Sequence, residues 1–151
     1  STATFTISMK LSVGMLDSVG REWLHNEEAH DAKVAELNTV YSADLVVADA
    51  TKMITGRDPR LMNVVESGII VAGSNRVATD AVCVGLMKMH RAARVSEIRV
   101  LGHEQFRAAE RLGIGSPRIE DIDLRFSDLV GDECFPDFIS GIREELGERP
   151  G

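Results

Sequence analysis

The sequence is poor in the residues that build several common kinds of site. It has two cysteines, Cys83 and Cys134, which lie far apart and outside any Cys-x-x-Cys pattern. The chain alone therefore lacks the ligands of a four-cysteine zinc or iron–sulfur site. Because Cys83 lies among Ala81, Val82 and Val84, we predict a buried free thiol rather than a disulfide with Cys134.

Long apolar runs and an excess of positive charge are also absent. No apolar run approaches the ~20 residues that cross a bilayer, and the first residues do not resemble a signal peptide. The 17 Lys and Arg against 24 Asp and Glu give a net charge of -7, and an acidic chain repels phosphate backbones. We therefore expect a cytoplasmic protein that contacts neither a membrane nor nucleic acid.

Common catalytic motifs are missing as well. The sequence contains no Gly-x-Ser-x-Gly elbow, no Walker loop and no dinucleotide fingerprint. Their absence disfavours serine-hydrolase, P-loop and Rossmann-cofactor functions.

The patterns that are present predict an α/β protein. The length of 151 residues, 44% of them hydrophobic, suits a single domain over 1–151 with an acidic C-terminal helix and tail at 132–151. Apolar patterns predict strands at 4–9, 45–48, 68–72 and 119–126, and a loop at 13–20. They also predict helices at about 29–41, 75–89 and 137–146, and one more helix that ends at Leu112. The strands at 45–48 and 68–72 are apolar on both faces, which predicts at least two central parallel strands flanked by helices. The alternative is an α+β fold.

Two carboxylates stand where apolar strands give way to the next element. Asp49 follows the strand at 45–48, and Asp80 lies on the helix that follows the strand at 68–72. Strand ends in an α/β sheet are a usual place for a ligand. Together with Lys10, these acids form a candidate catalytic site in which Asp49 and Asp80 hold a divalent metal and Lys10 neutralises an anion. The alternative is that each acid only bonds to nearby backbone or an arginine.

Several ordered segments resemble one family. Met9-Lys10-Leu11-Ser12-Val13-Gly14, Leu45 to Ala50, and Gly68 to Ala81 resemble the lysine turn, the strand with its Asp, and the strand-to-helix signature of the family called domain of unknown function 362. Gly113-Ile114-Gly115 resembles its Gly-x-Gly, although we interpret this segment as a helix stop. The resemblance extends over about residues 4–126.

The resemblance implies that this chain is the C-terminal half of a longer family domain, some members of which carry iron–sulfur modules. Family membership assigns no reaction. The leading hypothesis is that the chain is part of an enzyme that binds a small anionic or metal-bound ligand. The alternative is a non-catalytic docking or oligomerisation domain for an iron–sulfur or redox partner, formed with a second copy or with a missing N-terminal half. Two departures bear on the site: Asn75 stands where the family usually has an acid, and Asp58 stands where it has a glycine.

Three further residues are candidates for ligand binding. Ser74 and Asn75 form the turn before the helix at 75–89, and His30 opens a helix. His25 and His30 are five residues apart, which does not suit two metal ligands on one helix face. The simpler interpretation is that Ser74 or Asn75 caps the helix and that His30 faces solvent.

Overall fold

The computed structural model describes residues 4–25, 28–56, 63–126 and 135–147. The helices are α1 (Ser8–Leu11), α2 (Ser18–His25), α3 (His30–Leu37), α4 (Arg76–Met89), α5 (Glu104–Arg111) and α6 (Phe135–Leu146). The strands are β1 (Val46–Ile54) and β2 (Val64–Gly73), and 3-10 turns occupy Ser12–Met15 and Ile119–Asp121. The predicted mixture of helix and strand is confirmed.

The two predicted central strands pair with each other, but antiparallel. Val46 lies opposite Gly73, and Ile54 lies opposite Val64. The prediction of parallel strands is therefore wrong. Parallel pairing needs a crossover of about a dozen residues or more, whereas only residues 55–63 join β1 to β2.

The sheet is irregular at its middle. The pairing register shifts between Ala50 and Lys52, and Gly68 on β2, near this shift, has a positive φ of 69°. Glycine adopts that backbone conformation without the penalty that a Cβ brings. The shift is a β-bulge, which changes the faces to which the following side chains point.

The central element is α4. Its predicted burial is confirmed, because Val77 and every residue from Thr79 to Leu86 are buried. The helix packs against both strands and against α1 and α6. Cys83 is a buried free thiol, as predicted, and burial raises its pKa to about 12. Cys134 lies outside the described residues.

Two other predicted strands are absent from the ranges that the structure describes. Residues 8 and 9 of the predicted strand at 4–9 begin α1, and the predicted loop at 13–20 contains a 3-10 turn and the start of α2. At 119–126, Ile122, Leu124 and Phe126 are half-buried and alternate with exposed residues as expected. They pair with no described strand, so the alternation reflects one-sided packing and not a β-ladder.

The remaining predicted helices are confirmed with shifted ends. α3 packs against α5, and Gly113 ends α5 with a φ of 69°, as its position after Leu112 predicts. The buried core includes Phe5, Met9, Leu24, Val34, Phe106 and Ile142. Within the described ranges, no helix is both long and apolar enough to cross a membrane.

Candidate functional site

Asp80 holds the N-terminal helix in place. It is fully buried, and its Oδ1 accepts hydrogen bonds from the N–H of Ser8, at 2.8 Å, and from the Ser8 hydroxyl. Its Oδ2 accepts one from the N–H of Met9 at 3.0 Å. α1 has no side-chain cap of its own from Ile7, so a carboxylate from α4 caps its first two amides.

The electrostatic state of Asp80 follows from this burial. Loss of solvent raises its pKa to about 6, against hydrogen bonds from Ser8 and Met9 and a more distant attraction to Arg76, which all lower it. The sequence predicts a polar or cationic partner for this buried acid. The partners are the amides and hydroxyl at the start of α1, with Arg76 as the cation.

Lys10 lies on α1, and its Nζ donates to the Thr6 hydroxyl at 3.4 Å. Burial lowers the pKa of Lys10, the charge of Asp31 raises it, and Arg94 lowers it. The charges of Asp31 and Arg94 therefore act on Lys10.

His30 belongs to the group around Asp31. Its Nδ1 lies 3.5 Å from Asp31 Oδ1, and Asp31 Oδ2 lies 3.6 Å from Nε2 of His103. The His103 Nδ1 accepts the N–H of Gln105 and thereby caps α5. His30 is largely buried at 13% side-chain exposure, unlike the solvent-facing histidine that we considered the simpler interpretation.

Among the described residues, Asp49 forms its hydrogen bonds with neither of these groups. It is exposed on β1, opposite Ile70 of β2. Its Oδ1 accepts from the N–H and the hydroxyl of Thr51, at 2.9 and 2.7 Å, and these bonds lower its pKa. The hydrogen bonds of the described residues thus join Asp49 to its own strand and Asp80 to α1. A ligand shared by Lys10, Asp49 and Asp80 stays a prediction.

The turn between β2 and α4 is closed by a distant segment. Asn75 caps α4, because its Oδ1 accepts the N–H groups of Val77 and Ala78 at 2.9 and 3.0 Å. Its Nδ2 donates to the carbonyl of Ile114 at 3.0 Å. A Cβ on Gly115 would lie 2.5 Å from Asn75 Oδ1, so this close approach requires glycine. Ser74 is exposed beside the cap.

Arg76 is the functional candidate that sequence reasoning missed. Its guanidinium donates to the Asn38 side-chain oxygen and the Tyr41 carbonyl, and its Cζ lies 4.0 Å above the Tyr41 ring. Among the residues that the structure describes, no carboxylate forms an ion pair with it. The signal was its place directly after Ser74-Asn75, within the strand-to-helix segment.

Two cavities flank Arg76. The smaller, of about 430 Å³, is lined by Asn38, Ser42, Ser74, Asn75, Arg76 and Ile114, among others. The larger, of about 740 Å³, lies along β1 and also includes Arg76, Ser8 and Cys83. Both volumes fall in the range of small-molecule sites. The smaller cavity brings together the predicted ligand residues Ser74 and Asn75, which sit at the N-terminal end of α4 with Arg76.

Metal ligands do not gather in the described part of the chain. No group of three or more His, Cys, Asp or Glu side chains lies there in an arrangement that could hold a metal ion. The altered family loop at Arg57-Asp58-Pro59-Arg60 lies outside the described residues.

Fold and site together define a helix-and-sheet protein with a capped strand-to-helix turn beside a half-buried arginine. The family model described as Domain of unknown function (DUF362) matches residues 1–85, more than half of the 151 residues. The chain belongs to this family. The match includes the Lys10 turn, β1 with Asp49, and the β2–α4 turn with Asp80. No curated protein and no solved structure matches the chain.

Proposed function

We propose that this chain binds a small anionic ligand in the smaller cavity, at the N-terminal end of α4. The observation that carries the proposal is Arg76. Its guanidinium is held by Asn38 and Tyr41, so it is oriented before any ligand arrives. An oriented guanidinium forms strong, directional bonds to phosphate or carboxylate oxygens.

Helix α4 supports an anion at the same place. Its 14 residues sum to a positive partial charge at the N-terminal end. The nearby acid, Asp80, already accepts three hydrogen bonds and has a pKa raised to about 6. Because its oxygens already accept these bonds and it forms no ion pair with Arg76 among the described residues, Asp80 is a weak competitor for the guanidinium. Ser74 and Ser42 add hydroxyl donors to the lining.

Inorganic phosphate is a suitable first probe. Phosphate titrated into the wild-type chain should shift the amide NMR signals of residues 74–77. Arg76→Gln should raise the phosphate Kd by roughly tenfold or more, since a charge-assisted bond contributes about 1.5–3 kcal/mol. Arg125→Gln is the matched control, because Arg125 is exposed and pairs with Asp123.

Two results would contradict the proposal. One is a set of amide shifts confined to other parts of the chain. The other is an equal loss of affinity in Arg76→Gln and Arg125→Gln, which indicates nonspecific charge attraction. Asp49→Asn tests the predicted shared site in the same assay. It should change phosphate affinity only if Asp49 contributes to the site.

A docking role is the second candidate, and exposed apolar side chains favour it. The exposed fractions are 75% for Leu11 on α1, 72% for Met15 in the 3-10 turn, and 72 and 41% for Val19 and Trp23 on α2. Large apolar side chains left exposed in one segment are favourable for a protein-binding surface. If it receives an iron–sulfur partner, a purified ferredoxin should co-sediment with the chain, and Val19→Glu should abolish this. Unchanged sedimentation on mixing would remove this candidate.

A further inference from the structure

The free edge of β1 is an unusual surface. Within the described ranges the sheet has only β1 and β2, so β1 has an edge that faces no described strand. The larger cavity is lined by every residue of β1 except Thr51. Thr4 to Ser8 also line it, as do Cys83 and Met87 of α4. An open strand edge beside a cavity is a template for another strand.

The exposed residues of β1 follow an order that is complementary to itself when the strand is reversed. The outer face of β1, directed away from α4, carries Val47, Asp49, Lys52 and Ile54, each followed or preceded by buried or half-buried residues. The order along the strand is apolar, acidic, basic, apolar. Val47 and Ile54 are 60 and 53% exposed, which leaves both apolar ends uncovered.

We propose that two copies of this chain pair through β1, edge to edge and antiparallel, into one continuous four-stranded sheet. The two-fold axis passes between Ala50 and Thr51. This register places Asp49 opposite the partner's Lys52, and Val47 opposite the partner's Ile54. Each contact occurs twice, as a two-fold interface requires.

A change of phase along β1 makes this register feasible. In a regular strand, residues 49 and 52 point to opposite faces and cannot form a cross-strand pair. The extra residue of the bulge lies on β2, but exposure along β1 also changes phase at Thr51, since Ala50 and Met53 are buried while Asp49 and Lys52 are exposed. Asp49 and Lys52 therefore share the outer face. Residues directly opposite in antiparallel strands must share a face, and after the change of phase these residues do.

The charges favour a second copy over an unrelated strand. A lysine on an edge strand usually prevents pairing. Here Lys52 meets an acid from the partner, because Asp49 lies at the symmetric position. Lys52 also pairs with Glu66 of its own chain at 2.9 Å. That exposed pair holds only a modest interaction, and the three donors of an ammonium allow it to bridge both acids.

The test is the oligomeric state of the full chain, measured by sedimentation equilibrium over a wide range of protein concentration. The wild type should dimerise. Asp49→Lys places like charges opposite each other twice, and Lys52→Asp does the same. Each variant should raise the dimer Kd by roughly tenfold or more, given about 0.2–1 kcal/mol for each cross-strand charge pair and its reversal.

The double variant Asp49→Lys with Lys52→Asp restores both opposite-charge pairs and should recover dimerisation. Glu66→Gln is the control for the pair within one chain and should dimerise like the wild type. Circular dichroism is the control for folding, and each variant should give the spectrum of the wild type. A monomeric wild type overturns the proposal. So does an unchanged dimer Kd in the single variants, or a double variant that remains monomeric.

Discussion

At the scale of single residues, Asp80 connects two parts of the chain that are far apart in sequence. Its bonds to Ser8 and Met9 span 72 and 71 residues. Neither Ser8 nor Met9 carries a charge, so this carboxylate is buried without an ion pair to either. Burial therefore outweighs the hydrogen bonds and the attraction of Arg76, and the pKa of Asp80 rises to about 6.

The raised pKa predicts a particular pH dependence. The carboxyl group has an ordinary pKa of 3.8 and a folded value of about 6, so the folded chain holds the proton more tightly than the unfolded chain. The stability contributed by Asp80 is therefore full below about pH 4 and is lost as the pH rises through about 6. The difference corresponds to roughly 3 kcal/mol.

Asp80→Asn should remove this slope from the free energy of unfolding, measured by urea denaturation at several pH values. At low pH the variant should be less stable by about 1–3 kcal/mol, because its NH₂ group cannot accept from an α1 amide, whereas the hydroxyl oxygen of the protonated carboxyl group can. Burial lowers the pKa of His103. The stability that His103 contributes is therefore lost as the pH falls below the pKa of this residue in the unfolded chain, equally in the variant and the wild type. The difference between variant and wild type isolates Asp80, and an unchanged slope would contradict the assignment.

At the scale of elements, the start of α4 is stabilised by contacts from two directions. Asn75 accepts from the amides of its own helix and donates to Ile114. Asn75→Ala should cost about 1–2 kcal/mol in the free energy of unfolding, since a cap is lost and the Ile114 carbonyl loses its donor.

Asn75→Asp separates these two effects. The carboxylate keeps the cap and suits the helix dipole, but it cannot donate to Ile114. We expect it to recover most of the stability in urea denaturation while weakening phosphate binding, because it adds a negative charge to the cavity. Equal losses of stability in the two variants would mean that the Ile114 bond, and not the cap, stabilises the turn.

Local signals predicted some elements and failed for others. The apolar pattern and the cap of α4 lie next to each other in sequence, and so do α5 and Gly113, which is why both were predictable. The strand at 4–9 was predicted from its alternation, but α1 forms where Asp80 can cap it. That partner is 72 residues away, and no local pattern reveals it.

At the scale of the whole molecule, one short connection decided the direction of the strands. The apolar character of both strands suggested burial between helix layers, but only residues 55–63 separate β1 from β2, too few for the crossover of a parallel pair, and the strands pair antiparallel. The outer face that results is partly exposed, with Ile70 at 64%. For the proposed site, sequence suggested Ser74 and Asn75, which line the smaller cavity, and Asp80, which caps α1 instead. Arg76 was missed because its role depends on Asn38 and Tyr41, which belong to an earlier part of the chain.

The long-range cap of α1 also sets an order of events during synthesis. The ribosome releases residues 8–11 well before Asp80, which supplies their cap and follows both strands. Short helices are unstable in isolation, and contacts distant in sequence form late. The turn at 8–11 should therefore remain unfolded on the nascent chain until α4 has emerged.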